Sequence, residues 1–278
     1  MAGSDRMIDS PVGSAELARM HRAAAVVAEC RRSFAASGTG ILGAMLAGEA
    51  PLADWRHYPA GEVYDPHSHG QYFYHIHPEA GRSAGEHGHF HTFLRADGMP
   101  SRMAPLVLPE TAVAAMPPSP PQAPPQKHGG SDEVCHLVAI TLDPSGEPIR
   151  LFTTNRWVTG ETWYRADDVI GMLDSFAIGA VGPSTILNRW IVAMIALFHP
   201  QIAALLRRRD ETVMAWRRRR RTNVFEDTRL EITSSLDIEL DAQLALVERL
   251  GPETGAGSSA WASPLPPMAD GWGEGHAG

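Results

Sequence analysis

The stretch Gln-Tyr-Phe-Tyr-His-Ile-His, residues 71–77, and the stretch His-Gly-His-Phe-His, residues 87–91, decide how this chain folds and where its chemistry lies. In both stretches histidine recurs at every second position. Alternate residues of a β-strand point to the same face, so each stretch predicts a strand with a stripe of imidazoles. Of the 13 histidines in the chain, eight lie between residues 57 and 91, which makes this clustering the strongest signal in the sequence.

The residues between the two stripes, 78–86, read PEAGRSAGE and are rich in turn formers, so the stripes predict a β-hairpin. Symmetric antiparallel pairing about this loop places His75 opposite His89 and His77 opposite His87. Directly opposed side chains lie about 5 Å apart at Cβ, which allows imidazoles to converge on one ion. A slip of one residue would change these pairs, so the stripes are a firmer prediction than the register.

A group of packed imidazoles indicates a metal site, because burial and mutual repulsion both disfavour the charged form of histidine. We predict a ligand pool of His75, His77, His87 and His89, of which three suffice and one orients the others. Imidazole suits divalent transition metals; iron is favoured here, and zinc or copper is possible. The competing interpretation is a solvated or hydrogen-bonded histidine-rich face without a metal.

Three further residues complete the predicted site. His136 lies in a candidate strand at 134–142, with Val138 and Ile140 on the same face, which predicts a core position. It becomes a fifth metal ligand if its strand joins the sheet opposite the hairpin. Glu86 and His91 are the predicted catalytic residues, because a carboxylate or imidazole beside a metal serves proton transfers.

The rest of the chain alternates between strand and helix patterns, with turn chemistry at 143–148 joining two of the strands. Pro183 is placed in the first turn of one helix, which Pro200 divides, and Asp241 is placed as the N-cap of the last helix. Predicted strands are 55–58, 71–77, 87–95, 134–142, 149–157, 161–164 and 230–240; predicted helices are 14–36, 167–176, 183–206 and 241–250.

These patterns predict an α+β fold: a central antiparallel β-sheet or small barrel with an N-terminal helix and a C-terminal helical part. We expect one metal-binding domain at 14–250, with a proline-rich loop at 109–130. Composition predicts a flexible N-terminus at 1–13 and a disordered tail at 251–278.

Charge and composition exclude several classes of function. The net charge of −8 argues against nucleic-acid binding, and no apolar run approaches the roughly 20 residues that span a bilayer. The start of the chain lacks a secretory pattern and there are only two cysteines, Cys30 and Cys135, which predicts a cytoplasmic protein. No nucleotide-binding or acyl-transfer motif is present. The arginines at 207–209 and 217–221 are interpreted as a solvated helix surface.

The motifs YHIH at 74–77, GEHGHFH at 85–91 and LFTTNRWVTGE at 151–161 resemble an uncharacterised bacterial family known only as a domain of unknown function. The resemblance covers 55–250 apart from the proline-rich loop, and it implies no reaction. A looser similarity links His75, His77 and His136 to the strand histidines of cupins. Glu79 and Glu86 depart from the cupin spacing and the second cupin motif is missing, so this similarity implies only a metal held by strand histidines.

From these observations we predict a metal-dependent enzyme, specifically a mononuclear non-haem iron oxidoreductase that acts on a small molecule. The alternative is a non-catalytic metal- or haem-binding protein for sensing, storage or delivery. A third hypothesis is a phosphate- or acid-binding module that uses the arginine helix. The expected partner is a small-molecule substrate, with no nucleic acid and no membrane, and the sequence leaves the oligomeric state open.

Overall fold

The computed structural model describes residues 13–46, 48, 52–101, 103–108 and 133–251. The segments predicted as a flexible N-terminus, a proline-rich loop and a disordered tail, at 1–13, 109–130 and 251–278, lie outside these residues apart from Gly13 and Gly251.

Six strands form one antiparallel sheet, in which every strand pairs with its neighbours along the chain. The two outer strands do not pair with each other, so the sheet is open and is not a barrel. The strands are β1 (Tyr58–Tyr64), β2 (Gly70–His75), β3 (Gly88–Arg95), β4 (Val134–Leu142), β5 (Pro148–Thr154) and β6 (Ile232–Asp237).

Seven helices occur in the described residues: two precede the sheet in the chain, four lie between β5 and β6, and one follows β6. They are α1 (Ser14–Ser37), α2 (Gly40–Leu46), α3 (Arg156–Thr159), α4 (Ala166–Leu173), α5 (Thr185–Leu197), α6 (His199–Arg220) and α7 (Leu240–Leu250). The predicted α+β class is therefore confirmed, including the N-terminal helix and the helical C-terminal part.

The two predicted hairpins are present. In the first, β2 pairs with β3 and places His75 opposite His89, as symmetric pairing requires. In the second, the Asp143 carboxylate shapes the turn between β4 and β5 by accepting hydrogen bonds from the backbone N–H groups of Ser145 and Glu147, at 2.8 and 2.9 Å. These local bonds explain why an Asp-Pro-Ser-Gly sequence reverses the chain here.

The sheet has one face packed on helices and one face occupied by histidines. On the helical face Phe90 contacts Trp190 of α5, and the Tyr72 hydroxyl donates to Asn188 at 2.7 Å. The principal core lies between this face and the helices α1, α5 and α6. Because the helices cover one face, the opposite face is left to short loops, to α3 and to the histidine stripes.

Three predicted strands differ from the observed ones. The strand predicted at 149–157 ends at Thr154, because the Asn155 side chain caps the short helix α3 that follows. The first strand was expected at 55–58, but β1 runs through Tyr58–Tyr64 and contains Pro59 and Gly61. Such residues are tolerated there because β1 is an edge strand, where the missing N–H of proline is not needed by a neighbour. The segment predicted as a strand at 161–164 is irregular, and its Trp163 packs in a small cluster with Val213 and Phe225.

The N-terminal ends of α5 and α7 also differ from prediction. Thr185 begins α5, with the Ser184 hydroxyl accepting from the Leu187 N–H, so Pro183 lies before the helix. Glu239 occupies the N-cap position of α7, and Asp241 instead binds Arg31 of α1 at 2.5 Å. The predicted division at Pro200 is confirmed, because α5 ends at Leu197 and α6 begins at His199 with this proline in its first turn.

No single helix among the described residues is long and apolar enough to cross a membrane. The helices α5 and α6 reach that length and hydropathy only when they are taken together, and they are bent by 70°.

Candidate metal centre

Three buried histidines converge on the face of the sheet that the helices leave uncovered. His75 on β2 and His89 and His91 on β3 each place one ring nitrogen within 4.8 Å of the other two. Strand alternation puts His89 and His91 on the same face, and the β2–β3 register brings His75 beside them. This separation is compatible with three nitrogens binding one transition metal ion.

The closest contact in the group joins the Nε2 atoms of His75 and His89, which are 2.7 Å apart. The Nε2 atom of His77 lies 3.3 Å from that of His75, although β2 ends at His75 and His77 belongs to the following loop. The Trp55 ring packs on the imidazole of His77, with 4.4 Å between ring centroids. Three of the four predicted hairpin ligands therefore lie together.

Glu86 orients His89 from outside the group. Its Oε1 atom is 2.8 Å from Nδ1 of His89, and its Oε2 atom accepts from the backbone N–H of Ser83. Although burial acts to raise it, these hydrogen bonds lower the pKa of Glu86 to about 2. An ionised carboxylate at Nδ1 keeps the proton there and leaves the Nε2 lone pair of His89 free for a metal.

The fifth candidate, His136, joins the site because strand β4 contains a bulge. Opposite β3, Val138 pairs with Thr92 and His136 pairs with Phe93, so Leu137 is the additional residue. The bulge turns His136 to the face opposite Val138, which corrects the prediction that these two residues share a face. Its Nε2 atom lies 3.0 Å from Nδ1 of His91 and leaves Nε2 of His91 available as a ligand.

Burial favours the neutral form of His75, His77, His91 and His136. It lowers the pKa values of His75 and His91 well below the usual histidine range, and neighbouring His89 acts in the same direction. Burial also lowers the pKa of His77 to about 4 and that of His136 to about 3. Neutral imidazole is the form that binds metals, so the site is prepared for a cation near neutral pH.

A cavity of about 350 Å³ opens beside the three histidines. Its polar lining includes His77, Glu86, His89 and His91, together with Thr141, Arg150 and Thr154. Phe152, Val158, Leu230 and Ile232 provide apolar walls. A metal bound by the histidines would therefore face a space large enough for a small organic molecule.

Thr141 and Arg150 were missed in the sequence. They lie in one row across the sheet, in which His89 is opposite Thr141 and Thr141 is opposite Arg150. The predicted turn at 143–148 is the signal that could have found them, because symmetric pairing of the two strands about this turn places Thr141 opposite Arg150. Neither residue type stands out by itself, and only the register shows their proximity to the histidines.

Two further residues, the predicted ligand His87 and the buried Glu161, lie apart from the convergent group. The Nδ1 atom of His87 is 2.8 Å from the Tyr74 hydroxyl, and β3 begins only at Gly88, so His87 does not continue the strand alternation. Glu161 is buried beside β4, where it accepts from the backbone N–H of His136 at 2.9 Å. Burial raises the pKa of Glu161 to about 7.

The arginine-rich helix does not form a continuous basic surface. Arg208 is exposed, but Arg209 is buried, donates to the backbone oxygen of Tyr164 at 2.6 Å and packs over the Trp163 ring. Arg209 therefore connects α6 to the segment after α3. This corrects its inclusion in a solvated surface.

Comparison of the chain with curated proteins and with solved structures finds no match. Comparison with protein families does find one: residues 21–238 match a family described as a domain of unknown function, DUF6969. The match includes the whole sheet and the histidine group. The chain belongs to the DUF6969 family.

Proposed function

We propose that this chain binds one divalent transition metal ion through His75, His89 and His91, and that it is a metal-dependent enzyme acting on a small molecule in the adjoining cavity. The observation that supports this proposal is the convergence of three buried imidazoles, two of which, His89 and His91, line an open cavity. A metal held by three ligands keeps a coordination position for water or substrate.

Hydrogen bonding in the group is compatible with a metal, because Glu86 directs the lone pair of His89 toward His75. With its proton at Nδ1, His89 presents a bare Nε2 atom to Nε2 of His75. The buried Nδ1 atom of His75 has no hydrogen-bond partner among the described residues. A cation between the two Nε2 atoms would use the lone pair of each ring, whereas the Nδ1 atom of His75 lacks a partner in the described part of the chain in either case.

We favour iron as the metal and an oxidoreductase as the class of enzyme. Imidazole nitrogens suit iron, zinc and copper alike, and three neutral ligands leave several positions open on a metal that prefers six. The apolar walls formed by Phe152, Val158 and Leu230 would shield a reactive centre from bulk water. We assign His77, which borders the cavity, to proton transfer or to a fourth ligand position, and Glu86 to the orientation of His89.

We also place the protein in the cytoplasm. Cys30 and Cys135 are both free and buried, which suits a reducing compartment.

Metal content tests the ligand assignment. We expect elemental analysis of the full-length protein to find about one iron, zinc or copper ion per chain, and we expect His89→Ala and His91→Ala to lose it. His87→Ala is the matched control, because His87 lies on the same hairpin but contacts Tyr74, and it should keep the metal. A wild type without metal after growth with all three ions, or a His89→Ala variant with unchanged content, would refute the assignment.

A non-catalytic metal-binding protein is the second candidate. It is favoured by the surplus of imidazoles, since His57, His77 and His136 all lie close to the proposed ligands. Oxygen consumption by the iron-loaded protein in the presence of small organic reductants separates the two candidates. Turnover that disappears in His89→Ala supports the enzyme, and metal binding with no turnover supports storage, sensing or delivery.

A further inference from the structure

The cavity wall next to His89 contains two groups with unused hydrogen-bond donors, the Thr141 hydroxyl and the Arg150 guanidinium. The Thr141 side chain is only 1% exposed, and its hydroxyl has no hydrogen-bond partner among the described residues. It nevertheless lines the cavity. A buried hydroxyl without a partner lowers the stability of the folded protein by about 1–3 kcal/mol. Its presence at a cavity wall therefore indicates that a ligand in the cavity forms a hydrogen bond with it.

Arg150 lies beside this hydroxyl and brings a positive charge. It is opposite Thr141 in the sheet and also lines the cavity. Its Nε atom donates to Asp237 at 2.7 Å on the exposed side. Within the described residues the two terminal nitrogens of this guanidinium make no hydrogen bond, so they are free to bind a planar anion through two parallel bonds.

Asp237 pairs with the Nε atom of Arg150, and the carboxylates that line the cavity leave the two terminal nitrogens unoccupied. Glu86 is already bonded to His89 and to the Ser83 backbone. Glu231 is exposed at the rim. Arg229 also borders the cavity, but Asp227 accepts from both its Nε and its Nη2 atoms. Arg150 is therefore the arginine of this cavity whose terminal nitrogens remain available.

We propose that the cavity binds a small organic carboxylate, whose two oxygens are held by the Arg150 guanidinium and the Thr141 hydroxyl. This inference rests on the proposed function, because it names the substrate class for the same cavity. Neighbouring strands lie about 4.8 Å apart, so Thr141 is one strand spacing from His89 and Arg150 is two. A carboxylate bound there directs the adjoining carbon atoms of the same molecule toward the histidines, with Phe152 as the floor.

Benzoate and benzamide serve as probes, because they share shape and differ in charge. Binding to the full-length protein is measured by calorimetry or ligand-detected NMR, both as purified and after metal removal with a chelator. We expect benzoate to bind at least about tenfold more tightly than benzamide. We expect Arg150→Gln to weaken benzoate about tenfold or more, without changing benzamide. Arg208→Gln, an exposed arginine outside the cavity, is the matched control and should change neither probe.

Thr141→Val provides a second test that does not depend on removing a charge. Valine keeps the shape and removes only a hydroxyl that has no partner, so this variant should fold and should weaken benzoate about three- to tenfold. Equal binding of the two probes, or unchanged benzoate binding in Thr141→Val and Arg150→Gln, would overturn the inference. A wild type that binds no metal and still prefers benzoate would refute the proposed metal centre and leave the carboxylate site standing.

Discussion

At the scale of single residues, the site depends on imidazoles that remain uncharged although they are crowded together. His75 is surrounded by His77, His89 and His57, and protonation of any one of these rings would place a charge beside its neighbours. Burial and mutual repulsion together lower the pKa values of His75 and His91. In the absence of a metal, this arrangement makes the folded protein sensitive to acid.

We predict that the metal-free protein loses stability as the pH falls from 7 to 4. The folded state keeps His136 neutral, with a pKa of about 3, whereas the unfolded chain takes up the proton near pH 6.5. The unfolded state therefore binds more protons over this range, and each such histidine lowers the free energy of unfolding by about 1.4 kcal/mol per pH unit. Glu161 acts oppositely above pH 4.5, because its folded pKa is raised to about 7.

Urea unfolding of the wild type and of His136→Leu at pH 4, 5, 6 and 7 checks this prediction. Leucine cannot titrate, so the dependence of the unfolding free energy on pH should become shallower by about one proton. An identical slope in the two proteins would contradict the neutral state of His136.

The sequence predicted some of these residues and not others, for a physical reason. Alternation alone identified His75 and His89, because both lie in regular strands whose register follows from one loop. It placed His136 on the wrong face, because a bulge depends on long-range pairing between strands and leaves no local pattern. It missed Thr141 and Arg150, because whether a side chain has a hydrogen-bond partner depends on residues from other strands and loops, which a local sequence pattern does not show.

At the scale of elements, the β2–β3 hairpin holds the proposed ligands, and its closest approach is at Gly88. A Cβ atom built there would lie 2.5 Å from the backbone oxygen of His75 and 2.8 Å from the Tyr74 hydroxyl. The absence of a side chain therefore lets the two strands meet at the point where His75 faces His89. The observed bounds of this hairpin and of β4 agree closely with prediction because these strands are buried and have few turn formers.

We predict that Gly88→Ala destabilises the protein by about 2 kcal/mol, because the backbone that it meets cannot move aside cheaply. Gly81→Ala is the matched control in the same hairpin loop, since a Cβ there meets nothing within 4 Å. It should change stability by less than about 0.5 kcal/mol. Urea unfolding of both variants measures the difference. Equal stability of the two would show that the close contact at Gly88 does not exclude a side chain at this position.

At the scale of the whole molecule, one face of the sheet packs on the helices and the other face holds the candidate site. One face contributes Tyr72, Phe90 and Ile140 to the helical core, while the other holds the imidazoles and the cavity. The general α+β class could be predicted, since helical and strand periods differ clearly along the chain. Which face the helices cover could not be predicted, because both faces of the strands are buried and apolar alternation is weak.

Metal binding should stabilise the whole fold, because the proposed ligands come from strands that separate on unfolding. At about 100 times the dissociation constant, a metal that binds only the folded state adds about 2.7 kcal/mol to the free energy of unfolding. Thermal or urea unfolding with and without the ion found by elemental analysis checks this. His89→Ala should show no such gain, and an equal gain in both proteins would mean that the ion binds elsewhere.

The row that runs from His75 through His89, Thr141 and Arg150 to Asp237 crosses five strands. Insertion or deletion of a single residue between Pro148 and Arg150 would send Arg150 to the side where the helices pack. Such a change is tolerated only where a bulge absorbs the extra residue, as Leu137 does in β4. Length polymorphism among its relatives should consequently fall outside the strands that cross this row.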